Sequence, residues 1–140
     1  CGFTIASEAI IQSLLKVIAP YPIPEPVAQI VAQALTAGNI ERMQQQVAFL
    51  NEQRTRLQAE LATRPGVELV GDVKANYILF RHSHCAQIMQ YLVSQGMLIR
   101  DQSKQLNLQN CLRVTIGSAE QNQRLLSLLD AYFEQAGASL

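Results

Sequence analysis

Three arginines occur in segments whose residue types predict β-strands. Arg113 lies in "CLRVTI", where three β-branched residues follow the arginine and favour a strand. Arg81 ends the segment "NYILFR", and Arg100 lies near the end of "MLIRD". A charged side chain in a strand that leads into a core is costly unless another group pairs with it. Each of these arginines therefore needs a partner or a ligand.

Two interpretations of the arginines are open from the residues alone. A single strand arginine can form a partly buried structural ion pair, or it can act as an edge charge that prevents aggregation. Two arginines on successive strands can instead converge on one anion. A planar guanidinium binds a carboxylate or a phosphate through two parallel hydrogen bonds, which makes it suited to that task.

The other residues that could carry out chemistry give weaker patterns. Lys16, Lys74 and Lys104 lie in segments that predict solvent exposure, and none has the apolar surroundings that activate a lysine nucleophile. The seven glycines are scattered at turns, so no phosphate-binding loop is present. No Ser-His-Asp spacing occurs. Glu120 is favoured by the helix dipole in the first turn of a predicted helix.

The segment "HSHC" at 82–85 combines two histidines with a thiol and could suggest a metal site. A structural zinc ion requires four ligands, and no second cluster of ligands occurs elsewhere in the sequence. The pattern therefore favours a polar cluster at the start of a helix, and we predict no metal.

Composition narrows the class of protein. A chain of 140 residues has the size of one ordinary domain, and eleven basic residues balance eleven acidic ones without a block of like charge. This balance argues against nucleic acid or a membrane surface as a partner. The longest apolar segment, 9–20, is too short and too polar to span a bilayer, and no signal peptide is visible.

The cysteines indicate the compartment. There are three, at positions 1, 85 and 111, and an odd, scattered set is typical of reduced thiols in a cytoplasmic protein. The sequence opens with Cys1 and has no initiator methionine, so we expect a fragment of a longer protein.

The first part of the sequence predicts one strand and two helices around a proline-rich linker. "CGFTIA" at 1–6 favours a strand, and apolar residues at helical spacing predict a helix over 8–18. The segment 19–26 holds four prolines and cannot form a regular helix. Pro26 is suited to the first turn of a second helix that runs to about residue 35.

The rest of the sequence predicts a small sheet with helices. Asn39 is a plausible N-cap for a long helix over 40–63. The further elements predicted are strands at 67–72, 75–81 and 97–101, a strand around Arg113, and helices at 84–95 and 119–136. This order predicts an α/β chain whose C-terminal module is of the α+β class, a small mixed or antiparallel sheet covered by helices.

Several segments together resemble one enzyme family. They are "CGFTIASEAIIQSLLKVIAPYPIPEPVAQIVAQAL", "NYILFR", "GMLIRDQSKQ" and "CLRVTIGS". In order, and over essentially the whole chain, they resemble the C-terminal part of the histidinol-phosphate aminotransferases, a branch of the fold-type I aminotransferases that depend on pyridoxal phosphate. "LIRD" followed by "CLRVTIG" is similar to other aminotransferases as well, whereas "KVIAPYP" and "RDQSKQ" indicate this branch.

The resemblance implies a division of the chain and a location for the cofactor. Residues 1–35 would finish the large domain, which carries pyridoxal 5′-phosphate, and residues 36–140 would form the small C-terminal domain. The Schiff-base lysine and the other cofactor contacts of the family would lie upstream of Cys1. We therefore expect no catalytic and no cofactor-binding residue in these 140 residues. The family is homodimeric, which implies a partner subunit.

The resemblance also implies roles for two arginines. Arg113 would grip the α-carboxylate of the substrate, and Arg100 would help to hold the phosphate of histidinol phosphate. The reaction implied is amino transfer between histidinol phosphate with 2-oxoglutarate and imidazole acetol phosphate with glutamate, in histidine biosynthesis.

Two other functions remain possible from the sequence. The first is an aminotransferase of the same group that acts on an aromatic amino acid or on another phosphorylated amine. The second is a free-standing domain that binds a small molecule or a partner without catalysis. A lone strand at 1–6 and a proline-rich linker argue against the second, because a strand needs a larger sheet to join.

Overall fold

The structure is a computed structural model and describes residues 1–137. Within these residues the chain forms five helices and four strands, and from residue 67 onward their order is the predicted one: strand, strand, helix, strand, strand, helix. Along the chain they are α1 (Glu8–Leu15), α2 (Glu25–Ala34), α3 (Ala37–Ala62), β1 (Glu68–Leu69), β2 (Tyr77–Arg81), α4 (Cys85–Ser94), β3 (Arg100–Asp101), β4 (Cys111–Thr115) and α5 (Ala119–Gly137).

The chain divides into two compact units, Cys1–Gln45 and Gln46–Leu140. The first unit contains α1, α2 and the start of α3, and neither α1 nor α2 has a buried residue. The second unit contains the sheet and its core. The predicted division into a large-domain segment, 1–35, and a small domain, 36–140, stays a prediction.

The strand predicted at 1–6 is not formed. This segment has no regular secondary structure and is exposed throughout. A strand is defined by the neighbour that satisfies its N–H and C=O groups. No other segment within residues 1–137 pairs with 1–6, so β propensity alone does not produce a strand there.

The long helix begins earlier than the sequence predicted. Asn39 is not its N-cap, because α3 starts at Ala37 and the amide of Ile40 donates to the carbonyl of Thr36 at 2.9 Å. The Asn39 side chain instead donates from Nδ2 to the carbonyl of Gln33 at 2.9 Å. The proline-rich segment ends as expected, with Pro26 in the first turn of α2.

The four strands form one antiparallel sheet in the order β1-β2-β4-β3. The two long strands lie at its centre, with Leu79 of β2 opposite Arg113 of β4. The outer strands are shorter than predicted, since β1 pairs over two residues only and β3 begins at Arg100. This confirms a small antiparallel sheet covered by helices.

One face of the sheet forms the core with the helices. Every second residue of the two central strands lies on this face, namely Ile78 and Phe80 of β2 and Leu112 and Val114 of β4, and these four are almost fully buried. The helices contribute buried residues to the same cluster, namely Leu57, Leu61, Cys85, Ile88, Leu92, Leu125, Leu126 and Leu129. Each such side chain contributes roughly 1.5–3 kcal/mol to stability through burial.

A buried amide fixes the turn between β4 and α5. Asn122 accepts a hydrogen bond from the amide of Gly117 at 2.9 Å and donates to the Gly117 carbonyl at 3.2 Å. The same Nδ2 donates to Gln53 of α3 at 3.2 Å. One side chain therefore ties the end of β4 to two helices.

Among the residues that the structure describes, none of the helices has the length and apolar character needed to cross a membrane.

Candidate functional site

The second face of the sheet carries the strand arginines. Because side chains alternate along a strand, residues directly opposite each other across a ladder share a face. We call the surface formed by Tyr77, Leu79, Arg81, Arg100, Cys111, Arg113 and Thr115 the arginine face.

Two of the arginines lie side by side on this face. Arg100 of β3 is directly opposite Arg113 of β4, which places their Cβ atoms about 4.5–5.5 Å apart. Arg100 is exposed and Arg113 is half-buried. Among residues 1–137, no carboxylate forms an ion pair with either arginine. Like charges directly opposite each other destabilise a sheet, and an anion bound between them would remove that repulsion.

Arg81 is different, because it is occupied by protein groups. Its guanidinium forms an ion pair with Glu68 at 3.0 Å and donates to the carbonyls of Gln109 at 3.1 Å and Asn107 at 3.3 Å. The hydrogen bond to Glu68 raises the pKa of Arg81 above its ordinary value. The interpretation as a structural ion pair therefore holds for Arg81.

A shallow concavity of about 420 Å³ lies beside Arg113. The loop between β3 and β4 forms one wall, and β2 with β4 forms the floor. Its lining residues are Tyr77, Leu79, Gln102, Gln105, Leu106, Leu108 and Arg113. A cationic group in a mostly neutral concavity is suited to a small anionic ligand.

Local hydrogen bonds hold the loop that forms this wall. The carboxylate of Asp101 accepts a hydrogen bond from the amide of Ser103 at 2.7 Å. Hydrogen bonds from Ser103 lower the pKa of Asp101, and burial opposes this shift without reversing it. Asp101 follows Arg100 in sequence, but its carboxylate is engaged by the loop and leaves the arginine free for a ligand.

The residues of "HSHC" form a polar cluster at the start of α4. The buried His82 donates from Nε2 to the carbonyl of Pro65 at 3.1 Å and accepts the His84 amide at Nδ1, at 2.9 Å. The thiol of Cys85 lies 3.3 Å from the Ser103 hydroxyl. Within residues 1–137, no group of three His, Cys, Asp or Glu side chains is placed to hold a metal ion.

The lysines do not form a site for an aldehyde cofactor. Lys16, Lys74 and Lys104 are all exposed, and Lys74 forms an ion pair with Asp72 at 3.2 Å. A lysine that forms a Schiff base needs surroundings that lower its pKa, such as an apolar pocket. The described residues therefore do not fit the reactive end of pyridoxal phosphate.

The sequence identified Arg100 and Arg113 but missed the residues around them. Tyr77 could have been found, because the alternation in "NYILFR" places it on the same face as Arg81. The loop residues Gln102, Gln105 and Leu108 carry no such signal, since an irregular loop has no period.

The fold agrees with comparison to known proteins. The sequence model of the family described as "Aminotransferase class I and II" matches residues 1–129 of the chain. The chain therefore belongs to the aminotransferase class I and II family.

Within this family, the chain is similar to proteins named histidinol-phosphate aminotransferase. The chain is 57% identical over 133 residues to a histidinol-phosphate aminotransferase of Pseudoalteromonas atlantica, covering 95% of the chain and 36% of that protein. It is 46% identical over 131 residues to a histidinol-phosphate aminotransferase of Escherichia coli, covering 94% of the chain and 37% of that protein. The chain thus spans little more than a third of the length of these relatives.

A solved structure supports the fold. The crystal structure of the histidinol-phosphate aminotransferase from Clostridium acetobutylicum superposes with a TM-score of 0.76, over 91% of this chain and 39% of that one. At 17% sequence identity this similarity concerns the fold alone.

Proposed function

We propose that the chain is the C-terminal part of an aminotransferase that exchanges an amino group between histidinol phosphate and 2-oxoglutarate, with imidazole acetol phosphate and glutamate as products, in histidine biosynthesis. The observation that carries this proposal is the pair Arg100 and Arg113, which lie opposite each other on one face of the sheet. The identity to relatives named for this activity supports the choice of substrate.

Arg113 is proposed to bind the α-carboxylate of glutamate. It lies at the centre of a five-residue strand that pairs on both sides, so its backbone is rigid. A rigid, planar guanidinium fixes the orientation of the amino acid, and with it the Cα–H bond that must break. Orientation of this kind is a major part of the rate enhancement in such reactions.

Arg100 is proposed to bind the phosphate of histidinol phosphate. It lies on an edge strand and is exposed, so its position suits the far end of a substrate better than the reacting end. Glutamate carries a second carboxylate at its far end, and the same arginine can serve that group.

The cofactor is proposed to be pyridoxal 5′-phosphate, held by parts of the enzyme outside these 140 residues. When bound, it supplies the electron sink for the reaction, while the protein supplies orientation. We further propose that residues 1–35 finish the domain that carries it, that residues 36–140 form the small domain, and that the enzyme is a cytoplasmic homodimer.

A panel of amino donors and acceptors, assayed on the intact enzyme, tests the proposed function. Turnover with histidinol phosphate and 2-oxoglutarate is expected to exceed turnover with aromatic amino acids or other phosphorylated amines. Preference for another donor would replace the substrate assignment. Absence of all amino transfer by the cofactor-loaded enzyme would favour a binding domain without catalysis.

A further inference from the structure

The guanidinium of Arg113 lies over the ring of Tyr77. Its central carbon is 5.1 Å from the centroid of the ring. Tyr77 is opposite Thr115, and Arg113 is two residues before Thr115 on β4. The two side chains are therefore diagonal neighbours on the arginine face, a spacing that aromatic and long side chains can bridge.

The Arg113 guanidinium forms neither a hydrogen bond nor an ion pair within residues 1–137. Its Nε is buried and has no hydrogen-bond partner in that range. No ion pair involves it there either. Arg81, on the same face, has an ion pair and two carbonyl acceptors. The contact with the Tyr77 ring is therefore the interaction that the structure gives to the Arg113 guanidinium among these residues.

We propose that Tyr77 is a positioning residue, whose ring holds the Arg113 guanidinium so that its outer N–H groups face the adjoining concavity. Tyr77 and Arg113 both line that concavity. The attraction between a cation and the face of an aromatic ring sets the position without using any N–H donor. All donors other than the buried Nε remain available to a carboxylate. This inference rests on the proposed function and assigns to Tyr77 a part in the same site.

The ring, and not the hydroxyl, carries the role. Within the described residues, no hydrogen bond involves the Tyr77 hydroxyl oxygen. Tyr77 is about 39% exposed, so its loss removes little core packing. A substitution at this position can therefore remove the aromatic contact with little effect on the stability of the fold.

The test uses the intact, cofactor-loaded enzyme with two variants of one residue. Tyr77→Phe keeps the ring and is the matched control, while Tyr77→Leu keeps apolar contact and removes the ring. Single-turnover absorbance of the cofactor measures kcat/KM for glutamate and for histidinol phosphate separately. Tyr77→Leu is expected to reduce the value for glutamate about tenfold and that for histidinol phosphate about twofold or less. Tyr77→Phe is expected to change neither value by more than about twofold.

Two outcomes overturn the proposal. The first is an equal loss for both substrates in Tyr77→Leu with folding intact, which would indicate a purely structural role. The second is the same loss in Tyr77→Phe as in Tyr77→Leu, which would assign the effect to the hydroxyl. If Tyr77→Leu does not fold, Tyr77→Met is measured in its place against the same expectations.

A double variant separates this proposal from the proposed function. Arg113→Lys combined with Tyr77→Leu is expected to lose little more on glutamate than Arg113→Lys alone, because the ring acts through the guanidinium. Additive losses would overturn the positioning role while leaving the function of Arg113 in place. If Arg113→Lys alone lowered kcat/KM no more for glutamate than for histidinol phosphate, the carboxylate assignment itself would fail.

Discussion

Arg100 and Arg113 lie directly opposite each other on adjacent antiparallel strands, and neither forms an ion pair with any of residues 1–137. Two cations held at this distance repel each other in the absence of a ligand. The sheet thus maintains an arrangement that an anion would stabilise, and this feature distinguishes the pair from Arg81, which is neutralised by Glu68.

Replacement of Arg113 tests the carboxylate site. In the intact enzyme, Arg113→Lys keeps the charge but loses the planar, two-point contact with a carboxylate. Because a hydrogen bond to a charged group contributes about 1.5–3 kcal/mol and misorientation adds to the loss, we expect kcat/KM for glutamate to fall about ten- to several-hundred-fold. Histidinol phosphate has no α-carboxylate and should be affected less. The two half reactions are measured by single-turnover absorbance of the cofactor.

A matched control exists on the same face. Arg81→Lys alters an arginine that protein groups already occupy, so the ratio of the two half reactions should stay the same. Equal weakening of both substrates by Arg113→Lys, in a folded enzyme, would contradict the carboxylate assignment.

Replacement of Arg100 should produce the opposite preference. Arg100→Lys removes the two-point contact at the far end of the substrate, so we expect a larger loss for histidinol phosphate than for glutamate. The same single-turnover measurements decide the matter. A larger loss for glutamate would show that Arg100 serves the α-carboxylate instead.

Stability is expected to fall at acid pH because of His82. Burial lowers the pKa of His82 below its usual value of 6.5, although the hydrogen bond to Pro65 opposes the shift. Below about pH 6.5 the unfolded chain therefore binds a proton more readily than the folded chain, so the free energy of unfolding decreases as the pH falls. Urea denaturation of the chain between pH 5 and pH 7 measures this slope.

Two variants assign the slope to this side chain. His82→Asn retains an acceptor for the His84 amide and should make the slope shallower. His84→Gln alters the neighbouring exposed histidine, whose charge contributes less than burial to the lowered pKa of His82, and should leave most of the slope in place. An unchanged slope in His82→Asn would be incompatible with the proposed origin.

The buried amide of Asn122 should contribute measurably to stability. Asn122→Ala leaves both polar groups of Gly117 and the Gln53 side-chain oxygen without their partner. We expect a loss of about 1–3 kcal/mol in the free energy of unfolding, because buried unpaired polar groups cost that much. Gln123→Ala changes the exposed neighbour and should have little effect. Equal stability of the two variants in urea denaturation would argue against this network.

Hydrogen exchange tests the proposed role of residues 1–35. In the 140-residue chain, amides of α1 and α2 should exchange quickly, since neither helix has a buried residue. The amides of β2 and β4 should exchange slowly, because these two strands are hydrogen-bonded to each other and carry core side chains. Protection across Glu8–Ala34 equal to that of β4 would show that this segment needs no further partner.

Local pattern in the sequence determined the class of fold and the position of the arginines within it. The order of strands and helices from residue 67 onward follows from β-branched runs, helical spacing and glycine turns, all of which act over short distances. For the same reason the alternation in β2 and β4 placed Arg81 and Arg113 on strand faces before the sheet was known.

Tertiary structure decided which arginine is paired and which is free. Arg81 meets Glu68 only because β1 pairs with β2 in one register, and Arg113 meets Arg100 only because β3 pairs with β4 in another. The contact between Arg113 and Tyr77 likewise joins residues on different strands. Local propensity also predicted a strand at 1–6, which lacks a neighbour within residues 1–137. Strand pairing and register depend on contacts between segments that are distant in sequence, and a local sequence pattern does not specify these contacts.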